Sequence, residues 1–182
     1  MIEIHGKCEC PFAWRVRICA REKALPFEWI PFDGPDPDPR AMRHNPEKKS
    51  PKLWEDGFEL LESSVILRYL DEAYPDKPLQ ALGARDRALM GMRLRQIGGL
   101  EAHPPEIPPE PKKLERSFAV LDKALSDGRA FLGGTGPDLS DVAAWPFLLL
   151  LDKAGYPPQG SHLKAYWDRI RERDPLLATR PH

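Results

Sequence analysis

The sequence predicts an α/β domain followed by an all-helical domain. Two observations predict this order: strand-like and helix-like patterns alternate over residues 1–75, and no strand pattern occurs after residue 75. The first region runs strand, helix, strand, loop, hairpin and helix, which makes a small α/β layer unit. A linker containing prolines is expected at 76–83, and the helical domain at 84–182.

Each element of the first region follows from a local pattern. Pro11 suits the first position of a helix, and apolar residues then recur at helical spacing as far as Ala20. The dipeptide Asp56-Gly57 lies between two short apolar segments and predicts a β-hairpin. The expected strands are 1–5, 27–32 and the two arms of that hairpin, and the expected helices are 11–23 and 63–74.

The second region shows helical spacing only. Asp138 followed by Asp141 has the pattern of a helix N-cap with an acidic residue three positions later. The helix that follows is so apolar that it should form the centre of this domain. A cluster of prolines between residues 104 and 111 should interrupt the chain, because proline breaks helices. The expected helices are 84–101, 112–125, 138–153 and 163–173.

Composition argues against several classes of function. The net charge is -1, from 27 basic and 28 acidic residues, so a nucleic-acid partner is not expected. The chain begins without a signal-peptide pattern, and no apolar run approaches the ~20 residues of a membrane span. Three cysteines are an odd count, which disfavours a disulfide framework. A cytoplasmic protein with free thiols is therefore expected.

Cys10 is the candidate nucleophile. It stands immediately before a helix that begins at Pro11, where free backbone N–H groups and the helix dipole favour a thiolate. The alternative is a buried, inert cysteine. Cys8 is too close for an unstrained disulfide with Cys10 but could resolve a mixed disulfide, and Cys19 is expected in the core. His5 with these first two cysteines offers three metal ligands without a fourth, so no metal is expected.

Four segments, in order, carry a resemblance to a known family: 10–17, 45–51, 61–70 and 138–141. They resemble the glutathione transferase superfamily, and the first is similar to the active-site segment of the omega class. The resemblance implies a thioredoxin-like, glutathione-binding domain at 1–75 and a shortened helical domain at 84–182. It also implies glutathione as cosubstrate, and a possible homodimer.

The resemblance further implies five ligand-binding residues. Glu62 would take the ammonium of glutathione, while Ser63 would cap the following helix and hold the γ-glutamyl carboxylate. Pro51 would be cis, and Ser50 would pair its backbone with the cysteinyl part of the ligand. Lys49 would reach the glycyl carboxylate, or else remain solvated.

Two residues depart from the family pattern. Lys48 stands where glycine is usual, and Ser50 where an aliphatic residue is usual. Because of these departures, the resemblance leaves three functions open. The first is a glutathione-dependent thiol oxidoreductase or transferase that acts through Cys10 on an unknown small electrophile or disulfide. The second is a conjugating transferase, and the third is a non-catalytic binding module of the same fold.

Overall fold

The computed structural model describes residues 1–81, 83–101 and 110–180 of the chain. These residues form two compact units. The first comprises Met1–Pro78 with residues 178–180, and the second lies within Leu79–Leu177. Most of the predicted interruption at 104–111, and residue 82 of the predicted linker, lie outside the described residues. The predicted order, an α/β unit followed by a helical unit, is confirmed.

The first unit contains a mixed four-stranded sheet. Its spatial order is β2-β1-β3-β4, with β1 parallel to β2 and the other pairs antiparallel. Asp56 and Gly57 connect the last two strands at φ values of 51° and 91°, so the predicted hairpin is confirmed. The strands are β1 (Ile2–Gly6), β2 (Phe27–Pro31), β3 (Lys52–Glu55) and β4 (Phe58–Leu61).

Three helices complete this unit: α1 (Pro11–Glu22), α2 (Pro39–His44) and α3 (Ser63–Ala73). Pro11 begins α1 as predicted, and every residue from 13 to 20 is buried, so this helix is covered almost all round. Lys23, at the end of α1, donates to the buried Asp71 of α3 at 2.8 Å. Helix α2, whose first turn is capped by Asp38, was not predicted.

The second unit is helical: α4 (Ala84–Glu101), α5 (Pro111–Ala124), α6 (Leu139–Lys153), α7 (Ser161–Ile170) and α8 (Asp174–Leu177). Twelve of the 15 residues of α6 are buried, and α6 packs against α4, so α6 is the centre of the unit as predicted. The short α8 was not predicted. Within the described part of the chain, no helix has the length and apolar character needed to cross a membrane.

The start of α6 is fixed by the predicted cap. The Asp138 carboxylate accepts hydrogen bonds from the backbone N–H groups of Ser140 and Asp141, and Asp141 accepts the N–H of Asp138 in return. Arg93 of α4 donates to the other Asp138 oxygen at 2.8 Å. Asp141 also accepts the Tyr166 hydroxyl of α7 at 2.8 Å. The cap therefore joins three helices of this unit.

We expect Asp138→Ala to lower the free energy of unfolding by about 2 kcal/mol. Roughly half of this is the lost N-cap, and the rest is the partner removed from the largely buried guanidinium of Arg93, whose side chain is 11% exposed. Urea denaturation measures the effect. The control is Asp127→Ala, whose carboxylate is exposed and pairs with the partly exposed Arg129. It should change stability by less than about 0.5 kcal/mol. Equal denaturation midpoints for the two variants would contradict this role of the cap.

Candidate active site

A cavity of about 260 Å³ lies in the first unit. It is bordered by Phe12 of α1, by the loop before β3 and by the junction of β4 and α3. All five predicted ligand-binding residues line it: Lys49, Ser50, Pro51, Glu62 and Ser63. The structure thus brings together residues that two separate sequence segments supply.

Cys10 lies beside this cavity. It is the N-cap residue of α1, with extended backbone angles, and its carbonyl accepts the first helical hydrogen bond from Trp14 at 2.9 Å. Its own N–H donates to the Lys7 carbonyl at 3.2 Å, which closes a tight turn between β1 and α1. The half-buried Sγ lies 3.7 Å from the carbonyl oxygen of Ser50, a cavity residue. The thiol is therefore held at the rim of the cavity by backbone contacts.

The other two thiols have different surroundings. The N–H of Cys8 donates to both carboxylate oxygens of Asp33, at 2.9 and 3.1 Å. Burial, together with this carboxylate, raises the pKa of the Cys8 thiol. Cys19 is completely buried, as predicted, and burial raises its pKa far above the ordinary value. Both residues are thereby kept as neutral thiols near pH 7.

A buried asparagine shapes the loop before β3. Asn45 accepts the Lys49 N–H at 3.0 Å and donates to the Lys49 carbonyl at 2.8 Å, which closes the loop on itself. Lys48 has a φ of 53°, in the left-handed region that glycine adopts without cost. The Ser50-Pro51 bond is cis, as predicted. The loop therefore keeps its conformation although lysine occupies the position where glycine is usual.

Ser50 connects this loop to the turn that carries Cys10. Its hydroxyl accepts the N–H of Lys7 at 2.9 Å. The N–H of Ser50 has no hydrogen-bond partner among the residues described. The serine side chain thus stabilises the turn, while one backbone donor remains free to meet a ligand at the cavity.

The prediction that Ser63 caps α3 is wrong. Ser63 is the first residue of the helix rather than its cap, and Glu62 occupies the cap position with a φ of 66°. The buried hydroxyl of Ser63 instead accepts two hydrogen bonds from Arg15, from Nε at 3.0 Å and Nη2 at 2.6 Å. Because Arg15 donates to this oxygen, the serine O–H remains able to donate to a ligand.

Three further residues of the site were not predicted from the sequence: Arg15, Arg17 and Asp33. Each lies near the cavity or near the thiols. The two arginines fall within segment 10–17, which resembles an active-site segment, but that resemblance gave neither of them a role. A signal was present for the two arginines, because they fall within the apolar stretch of α1 that is buried on all sides. A charged residue in such a stretch must find a partner within the fold.

His5 does not join Cys8 and Cys10 as a ligand set. Its Nε2 lies 2.9 Å from Oε2 of Glu3, and the same oxygen lies 2.7 Å from Nδ1 of His44. The absence of a metal stays a prediction.

Comparison with known proteins identifies the family. The chain matches the model of the glutathione S-transferase N-terminal domain over residues 9–73 and that of the C-terminal domain over 104–178. It is 42% identical to a probable glutathione S-transferase, GSTU1, of Oryza sativa subsp. indica, over 75% of this chain and 68% of the relative. It is 26% identical to glutathione S-transferase omega-1 of Mus musculus, over 98% and 79% of the two chains.

A solved structure agrees with the fold. Glutathione transferase Omega 3C from Trametes versicolor superimposes with a TM-score of 0.78 at 21% identity, over 99% of this chain and 84% of that one. The predicted fold, a thioredoxin-like domain followed by a helical domain, is confirmed. The chain therefore belongs to the glutathione S-transferase family, a family of glutathione-dependent transferases.

Proposed function

We propose that the chain is a glutathione-dependent thiol oxidoreductase whose nucleophile is the Cys10 thiolate. The observation that carries the proposal is the position of the Cys10 Sγ, which lies at a helix start and 3.7 Å from the carbonyl of Ser50 at the cavity rim. Free N–H groups at a helix start favour an anionic sulfur, and the thiolate is the attacking form of cysteine.

One end of the cavity suits the γ-glutamyl group of glutathione. The start of α3 offers backbone N–H groups, which favour a carboxylate. The Ser63 hydroxyl can donate to the same carboxylate, because Arg15 already donates to its oxygen. The exposed Glu62 is placed to take the adjacent ammonium. The unusual φ of Glu62 supports this role, since strained residues cluster at ligand clamps.

The rest of the ligand would run along the loop before β3. The free N–H of Ser50 pairs with the cysteinyl residue, which brings the glutathione sulfur toward Cys10. Lys49 supplies a cation for the glycyl carboxylate. In this proposed arrangement, each charged group of glutathione would face a group of the cavity that favours the opposite charge.

The proposed reaction has two exchanges. The Cys10 thiolate attacks the glutathione sulfur of a mixed disulfide, the new S–S bond forms, and the substrate thiolate leaves and takes up a proton. A second glutathione thiolate then attacks the glutathione sulfur bound to Cys10. Oxidised glutathione leaves, and the Cys10 thiolate is restored.

Cys10 at the start of α1 favours thiol–disulfide exchange over conjugation. Conjugation usually relies on a serine or tyrosine hydroxyl near the glutathione thiol. The proposal also includes a cytoplasmic location, a homodimer and the domain limits 1–75, 76–83 and 84–182. The electrophile or disulfide that serves as substrate is a small molecule of unassigned class.

We expect iodoacetamide to label Cys10 rapidly well below pH 8, where an ordinary thiol is largely protonated. Cys8 should react more slowly because its pKa is raised, and Cys19 because it is buried. Peptide mapping after timed labelling at several pH values measures each rate separately. A Cys10 that labels only above about pH 8 would remove the basis for the nucleophile.

Oxidised glutathione should add one glutathione, at Cys10. Cys10→Ser should abolish both this adduct and thiol-transfer activity, while Cys8→Ser should keep the adduct. Intact-mass analysis and a thiol-transfer assay provide the two readouts. Conjugation of a model electrophile without any adduct would favour the conjugating transferase, and failure to bind a glutathione column would favour the non-catalytic module.

We expect Glu62→Ala and Ser63→Ala each to raise the Kd for glutathione by about tenfold, since each removes a contact to a charged group. Calorimetry measures the affinity, and thermal melting checks that both variants fold. Ser64→Ala is the matched control, because Ser64 is exposed and does not line the cavity. Equal affinities for all three variants would place the ligand elsewhere.

A further inference from the structure

Arg17 lies in the middle of α1 with a buried guanidinium. Only 6% of the residue is exposed, and the guanidinium carbon lies 4.1 Å from the centre of the Trp29 ring of β2. Arg17 follows Cys10 by seven residues, about two helical turns, so both lie on one face of α1. Long side chains on a helix lean toward its N-terminus. The guanidinium accordingly lies where negative charge on the sulfur of Cys8 or of Cys10 would raise the pKa of Arg17.

This guanidinium lacks the partner that a buried charge requires. Among the residues the structure describes, the buried Nε and Nη2 atoms of Arg17 have no hydrogen-bond acceptor. Burial lowers the pKa of Arg17 to about 10, although the two nearby thiols act in the opposite direction. Stacking on Trp29 offsets only part of the cost of burying an unpaired cation. The burial of this unpaired guanidinium is explained if an anion forms beside Arg17 during the reaction.

The neighbouring groups narrow the choice of anion. Glu9 is exposed in the turn before α1, and Lys49 in the loop before β3 is itself a cation. The carboxylate of Asp33, which follows β2, accepts the N–H of Cys8 but no hydrogen bond from the buried Nε and Nη2 atoms of Arg17. Burial and this carboxylate keep Cys8 protonated near pH 7. Cys10 is left as the group whose negative charge Arg17 can balance.

We infer that Arg17 is a positioning residue that supplies the counter-charge for the Cys10 thiolate. The inference rests on the proposed function, because it concerns the same nucleophile. An adjacent cation favours the deprotonated sulfur. When Cys10 is in the neutral mixed disulfide, Arg17 again lacks its anion. The guanidinium therefore also favours departure of the Cys10 thiolate in the second exchange.

The direct test is the pH profile of Cys10 labelling in Arg17→Met, which removes the charge and keeps much of the apolar stem. The pH of half-maximal labelling should rise by about one unit, so that labelling near pH 6 slows about tenfold. Arg17→Lys keeps a cation and should shift the profile less. Arg21→Met removes an exposed arginine from the same helix and should leave the profile unchanged. A wild-type profile in Arg17→Met would overturn the inference.

A second measurement does not depend on how the Arg17 variants fold. The NMR resonance of the Arg17 Nε–H should shift with pH in the wild-type protein, along the labelling curve of Cys10. The shift should be lost in Cys10→Ser and kept in Cys8→Ser. The reverse pattern, or no shift in the wild type, would overturn the assignment.

The two proposals fail in different ways. A wild-type Cys10 that resists labelling below about pH 8 contradicts the proposed function itself. A wild-type Cys10 that labels rapidly, with the same profile in Arg17→Met, contradicts only the role of Arg17.

Discussion

The site depends on the close approach between the turn that carries Cys10 and the loop that ends at Pro51. Gly6 permits this approach. A Cβ at Gly6 would lie 2.7 Å from the Ala13 Cβ and 2.9 Å from the Ser50 Oγ, distances that real side chains do not reach. Ser50 then joins the two segments. Its hydroxyl accepts a hydrogen bond from the Lys7 N–H in the turn, and its carbonyl faces the Cys10 sulfur. A side chain at Gly6 would separate Cys10 from the cavity.

Much of the cavity wall acts through its backbone, which explains why the chain tolerates its departures from the family pattern. Asn45 fixes the loop through two hydrogen bonds to the backbone of Lys49, and these bonds do not depend on the side chain at position 48. The left-handed conformation of Lys48 costs about 1 kcal/mol relative to glycine and leaves the loop path intact. The serine at position 50 brings a new contact to the turn, so it adds stability where an aliphatic residue would only pack.

Local signals predicted most of the fold. A short helix among prolines and contacts between distant residues account for what they missed. Pro11, Asp56-Gly57 and the Asp138 cap each act within a few residues, and each prediction is confirmed. The helix α2 has only six residues and begins among prolines that indicated a loop. The pairing of Arg15 with Ser63 joins residues 48 positions apart, so no local pattern marks it. Sequence alone therefore predicted Ser63 as a ligand-binding residue but missed that its hydroxyl accepts from Arg15 and that Glu62 occupies the cap position.

The two arginines of α1 show how one helix can support both the γ-glutamyl end of the proposed ligand and the proposed nucleophile. They are two residues apart, which places them about 200° apart around the helix axis. Arg15 donates to Ser63, at the end of the cavity that suits the γ-glutamyl group. Arg17 lies on the face that carries Cys10, against Trp29. Because α1 is buried on both faces, neither charge can turn outward into water. Their effect on the site is therefore fixed by the packing of the helix, and salt screens it less than it screens a surface charge.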